Sequence, residues 1–245
     1  MSSESDVTTH GIILAAGTGT RLRPLTDRCP KALVPLADRP IIGHALDALA
    51  ERGVAHVVVV GGHAIEALRA YLATRRAPRV TVVTNPAFAT TNTLASLVCA
   101  APAVDGDVFL LDGDLVFEPA VLARLDGPGT RLAVDRGRPL DDDAVKVATD
   151  GDRVVAVGKA LPDGRRGEAE SIGLARIDAA AAPALFATGR ALLAAGATAA
   201  YYEAAFQRLI DDGVVLQAAD VTSLKWEEID DHADLRRAHS LFAAA

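Results

Sequence analysis

The chain has 245 residues, 25 Lys and Arg against 32 Asp and Glu, and a formal net charge of −7 at pH 7. Half of it is hydrophobic and 23% is charged, enough apolar material for a large core without disulfide or metal staples. The acidic balance disfavours a nucleic-acid polymer as partner, because phosphate backbones need a basic footprint.

Residues 1–9 are polar, carry no basic-plus-apolar signal pattern and read as a short disordered tail. A single domain is expected over residues 10–245. The run Gly11-Ile-Ile-Leu-Ala-Ala ends in glycines, which suits a buried parallel strand. Pro40 opens a helix whose Ile41, Ile42, Ala45, Leu46 and Leu49 share one face, and Gly53 stops it. A strand at 57–60, a helix at 64–74, a strand at 80–84, a helix at 92–99 and a strand at 108–111 follow. This alternation predicts an α/β fold with a doubly wound, mostly parallel, Rossmann-like sheet that binds ligands at its carboxyl edge.

After Leu125 the rhythm changes. Val145-Lys-Val and Val154-Val-Ala-Val flank Asp150-Gly151, a hairpin signal. A strand at 171–177, a helix at 202–210, a strand at 214–217 and a helix at 231–242 complete the expectation. The segment around 135–178 reads as a small β-rich insertion. Cys29 and Cys99 are too few for a disulfide framework and lack metal-ligand spacing, and no apolar run reaches membrane-spanning length. The expectation is a cytoplasmic protein without a membrane anchor.

Two constellations carry chemistry. Leu14-Ala15-Ala16-Gly17-Thr18-Gly19-Thr20-Arg21 leads to Cys29-Pro30-Lys31. Glycines after a strand let backbone N–H groups approach phosphate oxygens, Arg21 adds a planar fork and Lys31 a compact charge. The loop is neither a P-loop, since no Gly-Lys-Ser/Thr follows, nor G-x-G-x-x-G, since Leu22 holds the last position. A surface turn with solvated arginines is the plainer alternative. The second constellation is acidic: Asp112-Gly-Asp114 ends one strand, and Trp226-Glu227-Glu228-Ile229-Asp230 lies far downstream. Magnesium favours hard oxygen ligands of this kind, although a turn and a helix N-terminus would account for the same acids.

The pattern Leu-Ala-Ala-Gly-x-Gly-x-Arg-Leu-x-Pro-Leu-Thr followed by Pro-Lys resembles the signature of the sugar-phosphate nucleotidylyltransferase superfamily, which implies a GT-A-like nucleotidyltransferase fold. Asn85-Pro86-x-Phe88, Thr91-Asn92-Thr93, Asp143-Ala-Val-Lys146, Gly158-Lys159, Glu170-Ser-Ile-Gly173 and Tyr202-Glu203 resemble the bacterial choline-phosphate and phosphonate cytidylyltransferases in particular. Gly158-Lys159-Ala160 stands where sugar nucleotidylyltransferases usually have Glu-Lys-Pro, which favours a small phosphorylated or phosphonylated alcohol or amine over a hexose phosphate, and CTP as the nucleotide.

The resemblance implies that residues 14–21 hold the nucleotide; Gly61 after its strand lets the nucleotide approach closely, the Asn92 amide can read a pyrimidine edge, and Asp112, which departs from the family's usual apolar or small residue, is placed beside them. Arg21 and Lys31 would act at the α-phosphate, and Asp114 and Asp230 would share Mg²⁺. Lys159 would orient the acceptor, with Lys146, Glu170, Tyr202, Glu203 and Trp226 in the acceptor pocket. Asn92 serves equally as a helix N-cap, Lys146 as half of a surface ion pair, Gly61 as part of a strand-to-helix turn, and Trp226 and Tyr202 as core. The implied reaction joins CMP from CTP to an aminoethylphosphonate-, hydroxyethylphosphonate- or phosphocholine-type acceptor, releasing pyrophosphate, and the resemblance extends to a homodimer. A sugar-1-phosphate or inositol-phosphate nucleotidylyltransferase and a non-catalytic nucleotide-binding regulator are the alternatives.

Overall fold

The computed structural model describes residues 10–242, so the tail expected at 1–9 lies outside the described residues. The first half comprises β1 (His10–Ala15), β2 (Pro35–Leu36), β3 (Arg39–Pro40), α1 (Ile41–Glu51), β4 (His56–Gly61), α2 (Ile65–Ala73), β5 (Arg79–Thr84), α3 (Thr93–Ala100) and β6 (Val108–Asp112). Strands β5, β4, β1 and β6 stand side by side in that order, all parallel. The chain steps outward from β1 to β5 and then returns to the other side of β1. That reversal opens a crevice beyond the carboxyl ends of β1 and β6, where ligands bind in open α/β sheets.

Both faces of these strands are covered, which is why they read as unbroken apolar runs. Ile12 and Leu14 of β1 pack with Leu94 and Leu97 of α3, whereas Ile13 and Ala15 pack with Leu46 and Leu49 of α1. Pro40 precedes α1 in extended conformation, and Gly53 at φ 87° follows its end.

The second half comprises β7 (Leu115–Phe117), α4 (Ala120–Arg124), β8 (Thr130–Asp135), β9 (Lys146–Asp150), β10 (Arg153–Gly158), β11 (Ala169–Ile177), α5 (Ala182–Ala194), α6 (Glu203–Asp211), β12 (Leu216–Asp220), β13 (Trp226–Glu228) and α7 (His232–Phe242). The full sheet has nine strands in the order β5-β4-β1-β6-β11-β8-β12-β10-β9. It is mixed rather than mostly parallel, because β11 runs against β6 and β8, and β10 runs against β12 and β9. The predicted β9–β10 hairpin forms, with Gly151 at φ 60° in its turn.

Strand β11 breaks register between Ser171 and Ala175, with Gly173 at φ 77° inside the break. Its first residues pair with β9 and its last four with β6, so one strand joins the hairpin to the parallel half. Helices α1, α2 and α4 cover one face of the sheet, and α3, α5 and α6 the other.

Candidate functional site

The glycine loop leaves β1 and turns at Gly19, which is left-handed at φ 61°. A Cβ there would lie 3.0 Å from both Lys31 Cβ and Thr26 Cγ2, so a side chain is excluded by space as well as by strain. The Thr26 hydroxyl donates to Gly19 O at 2.7 Å, and His63 Nε2 lies 2.9 Å from Thr26 O. These bonds leave Gly17, Thr18, Thr20 and Arg21 exposed at the rim, with Ala15 and Ala16 buried beneath them. Leu14 and Gly17 line the cleft, but Gly61 does not: a Cβ on Gly61 would strike Ile65 and Leu68, so this glycine admits the side chains of α2.

The acidic centre forms across the crevice. Gly113 N donates to Leu14 O at 2.9 Å, and a Cβ on Gly113 would approach that oxygen to 2.7 Å. Asp112 and Asp114 are thereby pressed against the end of β1. Strand β13 pairs antiparallel with β7, and Ile229 N bonds Asp114 O at 3.1 Å, which brings the distant Asp230 alongside. Asp234 accepts the Asp230 and Asp231 backbone N–H groups at 2.8 Å each and fixes that turn.

Lys31 Nζ donates to Asp114 Oδ2 and to Asp230 Oδ1, both at 2.6 Å, while an Arg21 guanidinium nitrogen stands 2.8 Å from Asp230 Oδ2. Burial alone would lower the Lys31 pKa, but the Asp114 and Asp230 charges outweigh it and raise it. Burial would likewise raise Asp230, yet Lys31 and Arg21 hold it below the usual carboxylate range. Glu228, which sequence reasoning did not single out, joins the same cluster: one carboxylate oxygen from each of Asp114, Glu228 and Asp230 lies within 4.8 Å of the others. Desolvation, then repulsion from Asp114 and Asp230, raises Glu228 to about 8. Asp114 Oδ1 is buried without a hydrogen-bond partner among the described residues. A set of hard oxygens with a spare buried lone pair suits a small divalent cation.

Four separate segments meet here, and a satellite core binds them. Leu22, Val34, Val116 and Ile229, close in sequence to Arg21, Lys31, Asp114 and Asp230, pack together with Leu36, Ile41 and Ala238. This cluster lies apart from the two clusters that sandwich the sheet.

The cleft beyond has a volume of about 600 Å³ and is lined by eleven carboxylate residues against four cations: Arg21, Arg138, Lys159 and Arg237. Lys159 reaches into it, 3.6 Å from Asp143 and 4.8 Å above the Tyr201 ring. Tyr202 is buried, donates to Asp112 Oδ2 at 3.3 Å and meets Phe206 edge-on. Burial raises Glu203 to about 7, and Glu170, buried and then repelled by Asp141, Asp135 and Glu227 against the pull of Arg138, to about 7.

Trp226 is core at one edge and cleft wall at the other. Its indole N–H donates to Asp135 at 2.7 Å, and Arg138, another residue missed in the sequence, stacks 3.6 Å from its ring. Arg138 also donates to Glu227 at 3.0 Å. Asn92 sits at the rim as the N-cap of α3, its side-chain oxygen accepting Thr93 N at 2.9 Å. Lys146 is not part of the cleft lining. Its ammonium donates to the carbonyls of Asp141, Lys159 and Ala144 at 2.6, 3.2 and 3.3 Å, tying the 141–146 turn to Lys159.

A family model described as "MobA-like NTP transferase domain" matches residues 11–187. The chain is 38% identical over 253 residues to the CMP-5'-(3-aminopropyl)phosphonate synthase of Streptomyces rubellomurinus, covering 97% of this chain and 39% of that protein. It is 37% identical over 109 residues to the 2-aminoethylphosphonate cytidylyltransferase of Lancefieldella rimae, covering 44% of each. The chain spans about two fifths of the length of these curated relatives. The inositol-1-phosphate CTP transferase of T. maritima superposes with a TM-score of 0.85 at 22% identity, over 98% of this chain and 96% of that one. This likeness establishes the nucleotidyltransferase fold.

Proposed function

The chain belongs to the MobA-like NTP transferase family, and on that premise we propose that it transfers CMP from CTP to a small phosphonate or phosphorylated amine and releases pyrophosphate. The observation that carries this reading is Lys31, bridging Asp114 and Asp230 at the mouth of the glycine loop with Arg21 alongside. Both aligned relatives act, by their names, on aminoalkylphosphonates.

The exposure of Gly17, Thr18 and Thr20 at the rim supports a seat for the triphosphate, and Arg21 and Lys31 then offset charge at the α-phosphate. Asp114, Glu228 and Asp230 would hold Mg²⁺, which when bound neutralises charge on the transferring phosphate. Lys159 draws the acceptor's phosphonyl oxygen into line. That oxygen is already anionic at neutral pH, so the attack needs no general base. Catalysis is then positioning and charge neutralisation. Asn92 serves as a cap, and Lys146 supports Lys159 through its backbone rather than touching the acceptor.

The test is pyrophosphate release across CTP, UTP, dTTP, ATP and GTP. Each nucleotide is paired with aminoalkylphosphonates, hydroxyethylphosphonate, phosphocholine, inositol 1-phosphate and a hexose 1-phosphate. Turnover confined to CTP with a phosphonate or phosphorylated amine is expected. Preference for UTP or dTTP with a hexose phosphate would overturn the reading.

A further inference from the structure

A second basin lies beside the cleft and has the opposite charge. A cavity of about 770 Å³ opens between the 138–140 segment, the start of β9 and the 165–168 segment that leads into β11. Arg138, Lys146, Arg165 and Arg166 line it against a single carboxylate residue, Glu168. The cleft next to it has eleven carboxylate residues against four cations, and the whole chain carries a net −7. A chain with a surplus of acids has gathered four like charges around one cavity, and an anion between them relieves their repulsion.

The two arginines stand on an anchored loop. Pro162–Gly164 forms a short turn with Asp163 at φ 56° and Gly164 at φ 66°, and Arg165 N donates to Pro162 O at 3.1 Å. Glu168 N donates to Val147 O at 2.8 Å, so both ends of the arginine pair are tied down. Gly167 seats the loop: an added Cβ would lie 2.8 Å from Lys146 Cβ and 3.1 Å from Leu140 Cδ1. Among the described residues neither Arg165 nor Arg166 has a side-chain hydrogen-bond or ion-pair partner. Lys146 directs its ammonium to three carbonyls, which satisfy its protons without cancelling its charge.

From this arrangement we infer that the basin is a second anion site, taking a phosphoryl or phosphonyl group. Guanidinium forks match the oxygens on a tetrahedral phosphorus in pairs, and Arg165 and Arg166 supply two forks with no other partner. Lys146 adds charge from the wall. The lining holds no aromatic ring and one large apolar side chain, Leu140, so it offers no stacking face to a nucleobase. The site stands apart from the transfer reading, because Arg138 alone among the basin residues also lines the cleft.

Arg138 also supplies a reporter. It stacks 3.6 Å from the ring of Trp226, the one tryptophan in the chain. An anion that draws on Arg138 alters the surroundings of that ring and is read in intrinsic fluorescence.

The experiment titrates the nucleotide-free protein with inorganic phosphate, pyrophosphate and methylphosphonate, following Trp226 emission and, in parallel, heat by calorimetry. Acetate serves as the control for diffuse charge. Saturable phosphate binding with a half-saturation of about 1 mM is expected at low ionic strength. Arg165→Gln/Arg166→Gln should raise that value at least about tenfold at parental Tm, since both side chains are exposed. Arg165→Lys/Arg166→Lys keeps the charge, loses the forks and should fall between. Lys31→Met, a change in the cleft, should leave the value within about twofold.

Ranking the three anions identifies the source: pyrophosphate as a released product, methylphosphonate as the acceptor's group, phosphate as the free ion. Each ranking supports the site. A response matched by acetate would overturn the inference, as would phosphate binding that is lost in Lys31→Met and kept in the double glutamine variant. The absence of a saturable signal in both assays would overturn it too.

Discussion

Removing the Lys31 ammonium tests the centre of the site most directly. Lys31→Met keeps the stem that packs under Gly19 and deletes both 2.6 Å hydrogen bonds. A hydrogen bond to a charged group contributes about 1.5–3 kcal/mol. The two share one ammonium, and the Asp114 and Asp230 side chains are 21% and 31% exposed, so screening reduces the pair below twice that value. A net loss of about 2–3 kcal/mol follows, or a Tm fall of about 4–12 °C for a chain of this size. Turnover should drop about 10²–10³-fold, as when one oxyanion donor is lost.

Scanning fluorimetry and pyrophosphate release read the two effects separately. Mg²⁺ added without nucleotide should restore more of the variant's Tm than it adds to the parent's, since it replaces the missing counter-charge. A Lys31→Met protein with parental Tm would refute the bridge. Turnover within a few-fold of the parent would refute the catalytic role.

Asp114→Asn and Asp230→Asn should each abolish Mg²⁺-dependent turnover, and calorimetry should show weakened Mn²⁺ binding; full activity in either removes it from the metal site. Gly113→Ala drives a methyl against the β1 backbone, so a loss of about 1–3 kcal/mol in urea unfolding is expected, with turnover falling in parallel. Glu203, raised from 4.5 to about 7, binds its proton more readily folded than unfolded. Its contribution therefore makes stability fall as pH climbs through that window and stay low above it. Glu203→Gln should flatten this decline and gain on the order of 1–3 kcal/mol at pH 8, measured by chemical denaturation at pH 5 and pH 8.

The parallel half of the fold was legible because its strands are apolar on both faces, and an apolar run bounded by glycines has few other uses. The Asp150-Gly151 hairpin was legible for the same local reason. Helix α5 was not, since its core contacts rest on Ala182, Leu185, Phe186 and Gly189 amid further alanines, which blurs any apolar stripe. In the site, Lys31, Asp114 and Asp230 were named through the resemblance, their residue types alone leaving a surface turn and a helix N-terminus as alternatives. Arg138 was not, and Glu228 was named only as one acid of the 226–230 stretch: their places come from stacking on Trp226 and from the β7–β13 pairing, neither of which leaves a periodic mark. Lys146 shows the opposite limit, a cation placed beside the cleft in sequence whose side chain turns back onto three carbonyls.

The satellite core beneath the glycine loop would give the molecule two thresholds of heat damage. Leu22, Val34, Val116 and Ile229 hold the four site segments together, yet they belong to neither layer that sandwiches the nine-stranded sheet. A rise in temperature can release this small cluster, parting Asp230 from Asp114, while the main sheet stays folded. Inactivation would then set in before the loss of secondary structure and reverse on cooling. The half-life of activity would report on this one small aliphatic cluster rather than on the whole domain.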